Sequence, residues 1–315
     1  MKLDPSKINE TRKIAVIDTG SNTIRLAVFS VTSRNKINGK MPQIKELFDV
    51  KIVAGLSAYV KDNVFSDLGV DKASRVLKAQ ITRAKNLGCD DINIFATAVL
   101  RNASNSKSAI EKIEASIGKK IDLLSTQDEA KLGIAGACFK TDISQGCLID
   151  LGGGSCEIST FDDTNFETCS LDIGCVSAYS TYVKCLLPKK SEYLKIREKT
   201  KSLIKKKEAP LKENKNLCAI GGSVRAISKL TREIKELKKT PRHIWKSDIK
   251  DIKDLYFSDQ DKFAHLAVKA TPDRLHSLLP GLAIIEEIME TANCSTIDIC
   301  RGGIREGYLL SLLNL

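Results

Sequence analysis

One short pattern occurs twice in this chain. Val16-Ile17-Asp18-Thr19-Gly20-Ser21 and Leu148-Ile149-Asp150-Leu151-Gly152-Gly153 both read apolar, apolar, Asp, any residue, Gly, small. In each copy an apolar strand ends at an aspartate, a glycine turn follows, and a second strand resumes, over Arg25–Val31 and from Glu157. Glycine lets main-chain N–H groups approach a ligand, and successive N–H groups form an anion-binding nest. The flanking carboxylates suit a hard cation such as Mg²⁺. Gly-rich hairpins are also plain turns and an Asp at a strand end can make an Asx-turn, so one copy alone decides little. A second copy predicts two domains of one fold.

A chain of 315 residues is long enough for two such domains. Its charge of +11 is spread, with +7 before residue 133 and +4 after it. Diffuse positive charge attracts polyanions by long-range steering, and a solvated lysine surface is the bland alternative. None of the ten cysteines is spaced CxxC, so they read as buried thiols of a reducing cytoplasm. Met1–Lys13 lacks the apolar core of a signal peptide, and no apolar run reaches the roughly 18 residues of a membrane span. Cytoplasmic location is therefore expected. No GxxxxGK[ST] occurs, which excludes a P-loop NTPase.

In order, strands are expected at Ile14–Thr19, Arg25–Val31 and Gln43–Val53, with a charged loop at Ser33–Gly39. Helical spacing covers Val70–Gly88 and Ser108–Ile117, around a strand at Ile92–Thr97 and a loop at Ala98–Asn105 carrying Arg101. After a strand at Ile121–Leu124, Thr126-Gln127-Asp128-Glu129 has capping-box spacing before a helix. Ala219-Ile220-Gly221-Gly222-Ser223 ends a strand and opens a helix whose N–H groups can face an anion. Lys184–Lys207, with ten basic residues, and Lys229–Lys246 read as mostly helical, Pro280–Cys294 as an apolar helix, and Thr296–Cys300 as a strand before a terminal helix. The class is α/β, mixed sheets with flanking helices, in domains 1–132 and 133–315. His243, His265 and His276 lack metal spacing, Trp245 reads as a packing residue, and Cys175 has no apparent partner histidine for nucleophilic chemistry.

Six segments carry a resemblance: Val16–Thr23, Ala96–Arg101, Ser125–Leu132, Leu148–Glu157, Ile220–Ala226 and Ile304–Gly307. In this order they resemble the exopolyphosphatase and guanosine pentaphosphate phosphohydrolase family, in its short two-domain form. The resemblance implies two ribonuclease-H-like domains of the actin-like ATPase superfamily, with the active site in the interdomain cleft. It implies a Mg²⁺-dependent hydrolase, or one using another divalent cation, acting on the terminal phosphoanhydride of polyphosphate or guanosine pentaphosphate. Glu129 matches the catalytic glutamate and Arg101 the phosphate-binding arginine. Gly20, Ser21, Asn22 and Thr23 match one phosphate loop and Gly152, Gly153, Gly154 and Ser155 the other. Gly221, Gly222 and Ser223 form a third turn of similar type. Asp150 and Glu157 match the metal-side carboxylates, with Asp18 as first-domain counterpart. Cys156 stands where threonine is frequent, removing a hydroxyl near the phosphates, and Cys300-Arg301 stands where Ser-Asp is often found.

Read from spacing alone, Glu129 is a capping residue and Arg101 a solvated arginine; the resemblance reverses the first reading. The main expectation is an exopolyphosphatase with Glu129 as base. The alternatives are a guanosine pentaphosphate 5′-phosphohydrolase, disfavoured modestly by the lack of interleaved aromatics, and a non-catalytic alarmone or nucleotide sensor. A sugar or acetate kinase is disfavoured by the Ser125–Leu132 block. No specific nucleic acid or membrane partner is implied, and a homodimer is a possible assembly. For a long polyanion, Lys184–Lys207 could extend the binding track; a solvated face is the commoner fate of such a run.

Overall fold

The computed structural model describes residues 11–32, 42–141, 145–162, 165–211 and 217–315. Residues 1–10 of the polar N-terminal stretch and the Ser33–Gly39 loop lie outside the described residues. The chain forms two compact units, Met1–Gly136 with Ile304–Leu315, and Ala137–Gly303. The last helix thus belongs to unit 1, where the sequence reading had placed it with the second domain.

Unit 1 contains β1 (Thr11–Thr19), β2 (Thr23–Thr32), β3 (Gln43–Val53), the small hairpin β4 (Val60–Lys61) and β5 (Val64–Phe65), and α1 (Asp67–Asn86). It continues through β6 (Asp91–Ala96), α2 (Ala98–Arg101), α3 (Ser106–Ile117), β7 (Asp122–Leu123) and most of α4 (Thr126–Lys140). The main sheet has the order β3-β2-β1-β6-β7. The first three strands are antiparallel, and β6 and β7 run parallel to β1. Because side chains alternate across a strand, Ala15, Ile17, Leu26 and Val28 face α1 and α3, while Ile14, Val16, Ala27 and Phe29 face the other side. Both faces are covered, which is why these strands read as continuous apolar runs rather than alternations.

The cover on the second face is the C-terminal helix α11 (Ile304–Leu312), the last element of the chain. Tyr308 stacks on Phe95 with ring centroids 4.8 Å apart, and its hydroxyl donates to Asp122. A Cβ on Gly307 would stand 1.8 Å from the Leu132 carbonyl oxygen, so only glycine lets α11 approach α4 this closely. Residues 98–101, expected as loop, close one helical turn because the Thr97 carbonyl accepts from Leu100 and Arg101 N–H.

Unit 2 repeats the scheme. It contains β8 (Gly146–Leu151), β9 (Cys156–Phe161), β10 (Phe166–Leu171), α5 (Cys175–Tyr182), α6 (Lys190–Lys206), β11 (Leu217–Ile220) and α7 (Gly222–Ile234). Then follow β12 (His243–Trp245), α8 (Lys246–Ser258), α9 (Gln260–Ala270), α10 (Leu275–Thr291) and β13 (Thr296–Ile299). The sheet order is β10-β9-β8-β11-β13-β12. Again three antiparallel strands are joined by parallel ones, β11 and β13, with β12 added antiparallel at the edge. This shared order is the ribonuclease-H-like arrangement of actin-like ATPase domains.

Three local expectations differ. Helix α10 begins at Leu275, so Pro280 lies inside it rather than at its start, buried among Leu279, Leu282 and Ala283. Lys229–Lys246 is helical only to Ile234: Glu236 takes φ 52°, Pro241 cannot donate, and the chain re-enters as β12. Trp245 is 52 % exposed on that edge strand and is not a core packing residue.

Candidate functional site

The two repeated turns close identically. Gly20 N–H donates to Thr23 O at 3.1 Å, and Gly152 N–H to Ser155 O at 3.0 Å. In unit 1 the Ser21 carbonyl accepts from Ser57 N–H, and the Asn22 carbonyl from Ala54 and Gly55 N–H, each at 2.9 Å. In unit 2 the Gly152 carbonyl accepts from Cys175 N–H at 3.0 Å and the Gly153 carbonyl from Val176 and Ser177 N–H at 2.9 Å. The Gly154 carbonyl accepts from Ser177 Oγ at 3.2 Å. In a trans peptide the N–H opposes the preceding C=O. The carbonyls of Gly152, Gly153 and Gly154 are turned to the start of α5, so the N–H groups of Gly153, Gly154 and Ser155 point the other way. None of these three N–H groups meets a protein acceptor among the described residues. A row of N–H groups so directed is an anion nest.

Gly174 makes this possible, and sequence reasoning passed over it. A Cβ there would sit 2.5 Å from the Gly153 carbonyl carbon and oxygen. The adjacent Cys175 thiol donates to Gly152 O at 3.2 Å, and burial pushes its pKa up. It is a fastener of the turn in its thiol form, not a thiolate nucleophile.

The residues opposite the two aspartates differ. Register pairs Asp18 with Arg25 in β1–β2, and Asp150 with Glu157 in β8–β9. Directly opposed side chains share a face. Arg25 in turn grips Asp49 through Nε and Nη2, both at 2.5 Å, and Arg305 Nη2 lies 3.8 Å from the same carboxylate. Desolvation raises the Asp18 pKa above the ordinary value, with Arg305 and then Arg25 pulling it back. Asp18 therefore stands among arginines. Glu157 is 3 % exposed and accepts from Ser170 Oγ at 2.9 Å. Two neighbouring carboxylates, one of them buried, form an oxygen-only donor pair that fits Mg²⁺. Among the described residues no group of three or more His, Cys, Asp or Glu is placed to hold a metal ion.

Arg101 ends α2, and its Nη1 donates to Glu129 Oε2 at 2.5 Å and to Leu124 O at 3.1 Å. Glu129 is 9 % exposed. The cap of α4 is not Glu129. Ser125 Oγ accepts from Asp128 N–H at 3.1 Å and donates to the Asp128 carboxylate at 2.6 Å, so Ser125 is the cap of α4, one residue earlier than the sequence suggested. Asp128 is exposed, and Glu129, about 100° further round the helix, turns inward.

At the third turn Gly221 takes φ 116°, and a Cβ there would meet the Leu151 carbonyl oxygen at 2.5 Å. Arg274, which sequence reasoning missed, lays its guanidinium on Gly222, with Nη2 2.0 Å from where a Cβ would stand. Ser223 Oγ is buried and meets no hydrogen-bond partner among the described residues. The positive end of α7 and a guanidinium thus meet at one spot, an arrangement that suits an anion. Cys156 is corrected: it is fully buried in the core, on the face opposite Glu157, and does not replace a ligand hydroxyl. Cys300 is likewise buried. All ten cysteines are free.

Two units of one topology, each with an aspartate-ended strand and a glycine turn, define a protein of the actin-like ATPase fold class. The chain belongs to the Ppx/GppA phosphatase family, whose model matches residues 35–315. It is 26 % identical over 314 residues to the guanosine-5′-triphosphate,3′-diphosphate pyrophosphatase of Pseudoalteromonas translucida, covering 95 % of this chain and 59 % of that protein. A putative exopolyphosphatase of Haemophilus influenzae is 23 % identical, covering 98 % of this chain and 94 % of that one. The Aquifex aeolicus member of the Ppx/GppA family superposes with a TM-score of 0.74 at 19 % identity, covering 96 % of this chain and 97 % of that one, which supports the fold.

Proposed function

We propose that the protein is an exopolyphosphatase that releases orthophosphate from the end of inorganic polyphosphate. The observation carrying this reading is the buried Glu129 carboxylate, held by Arg101 and relieved of capping by Ser125. Glu129 takes the proton of the attacking water, and the Arg101 fork holds phosphoryl oxygens. The turn Gly20, Ser21, Asn22 and Thr23 and the donor row of Gly153, Gly154 and Ser155 bind phosphate oxygens. Asp150 and Glu157 would hold Mg²⁺, which when bound neutralises phosphate charge. Asp18 serves by keeping Arg25 and Arg305 in place rather than as a metal ligand. The solvent face of α6 carries exposed Lys190, Lys195, Lys199, Lys201, Lys205 and Lys206, a cationic band for a long polyanion.

The name of the Pseudoalteromonas relative keeps guanosine pentaphosphate as the second substrate. No helix among the described residues is long and apolar enough to cross a membrane. Phosphate release with Mg²⁺ is measured in parallel from polyphosphates of several lengths and from guanosine pentaphosphate. Release from polyphosphate supports the proposal; release from the nucleotide alone replaces it with the second substrate. Silence on all of them overturns it in favour of a sensor.

A further inference from the structure

Arg305 is a nearly buried guanidinium whose Nε has no hydrogen-bond partner among the described residues. It lies in the first turn of α11, with its side chain 11 % exposed. The nearest anion is Asp49, at 3.8 Å, beyond hydrogen-bond range. Both Asp49 oxygens are already taken by Arg25 at 2.5 Å. Arg305 Nε is buried and has no hydrogen-bond partner among the described residues. An arginine carries five N–H donors, and burying them unpaired is costly.

The position of the group says what kind of acceptor fits. Arg305 Nη2 lies 3.8 Å from Asp49, which grips Arg25, the register partner of Asp18, so it lies near the end of β1. Asp18 Oδ1 is 3.8 Å from where a Cβ of Gly20 would stand, so this end of β1 is also the start of the glycine turn. The first turn of α11 is fixed by the close approach of Gly307 to the Leu132 backbone. Asp49 attracts the guanidinium from 3.8 Å without accepting a hydrogen bond from it. What fits a fixed planar fork beside backbone N–H groups is an oxyanion that accepts several hydrogen bonds at once.

We propose that Arg305 is a second phosphate-binding arginine of unit 1, donating to an oxygen of a phosphate held at the Gly20–Thr23 turn. This rests on the reading of that turn as a phosphate site. It adds a residue from the far end of the chain to the ligands assigned above.

The test is calorimetric binding of inorganic tripolyphosphate with Mg²⁺, in a Glu129→Gln background so that the probe is not consumed. Arg305→Met is expected to weaken binding about ten- to hundredfold, the range for a hydrogen bond to a charged group. Arg75→Met, on the exposed face of α1, removes the same net charge and is expected to stay within about twofold. Arg305→Lys keeps the charge but loses the fork, and is expected to weaken binding at least about threefold. Where Arg305→Met fails to fold, Arg305→Lys decides. Wild-type-like binding by Arg305→Lys overturns the proposal and leaves Arg305 as a charge balance, hydrated by water. Equal losses in Arg305→Met and Arg75→Met overturn it as a net-charge effect. Tight tripolyphosphate binding by a protein that hydrolyses no polyphosphate would remove the proposed activity and leave Arg305 as assigned. No tripolyphosphate binding in the parent overturns the arginine assignment.

Discussion

Asp150 and Glu157 stand directly opposite each other across β8 and β9, where the matching position of unit 1 sets Asp18 against Arg25. One backbone device is therefore built twice with opposite electrostatics. In unit 1 an arginine answers the aspartate. In unit 2 two carboxylates share a face, and Ser170 orients one of them. A cation stabilises such a pair more than it stabilises Asp18 beside two arginines.

Glu157→Gln should therefore raise the Mg²⁺ concentration for half-maximal phosphate release by at least about tenfold. Arg25→Gln should leave that concentration within about twofold while lowering the melting temperature, because it removes the two-point grip of Arg25 on Asp49. A Mg²⁺ titration of both variants checks the contrast. Equal shifts would mean that the pair in unit 2 does not hold the ion.

Glu129 and Asp128 are neighbours with separate tasks, which makes them a paired experiment. Glu129→Gln should lower turnover about a hundredfold or more, with polyphosphate affinity little changed. Asp128→Asn should cost about 0.5–1 kcal/mol of stability through the weakened Ser125 cap and leave turnover within about twofold. Near wild-type turnover in Glu129→Gln would remove the base.

Gly174 is the residue on which the Gly152–Ser155 turn rests. Gly174→Ala puts a methyl 2.5 Å from the Gly153 carbonyl, so the turn must shift. A loss of about 1–3 kcal/mol in thermal or urea unfolding is expected, with a rise in KM for polyphosphate. Unchanged KM with reduced stability would show that the direction of the N–H row does not matter to binding.

The repeated turn was legible because its chemistry is local: an apolar strand, an aspartate and a glycine within six residues specify their own geometry. Its electrostatics were not. Arg25 was an unremarked strand residue, Asp49 lies on another strand, and Arg305 arrives from the last helix. No sequence window joins them; the sheet order does. The same holds for α11, whose apolar face gives no sign of which sheet it covers. Glu129 and Arg101 came from resemblance, since spacing favoured a cap and the true cap lies one residue earlier. Cys156 was misplaced for a reason the sequence did contain. Alternation from the inward-facing Leu151 partner puts Cys156 in the core and Glu157 on the opposite face.

The lysines of α6 bear on substrate length. Tyr193, Ile196, Thr200, Leu203 and Ile204 face the core, so Lys205, Lys206 and Lys207 are left in solvent at the end of the helix. Lys207 Nζ lies 3.4 Å from the exposed Asp172 carboxylate, a contact worth little in water. Replacing the three by Gln should leave the fold intact and act through long-range attraction, which grows with the number of phosphates within a Debye length of about 8 Å. KM for long polyphosphate should therefore rise several-fold at low salt, and KM for tripolyphosphate by less than about twofold. The difference should shrink as salt is raised. Steady-state kinetics at two chain lengths and two ionic strengths measure it. Equal effects on both lengths would make this face of α6 an ordinary solvated surface.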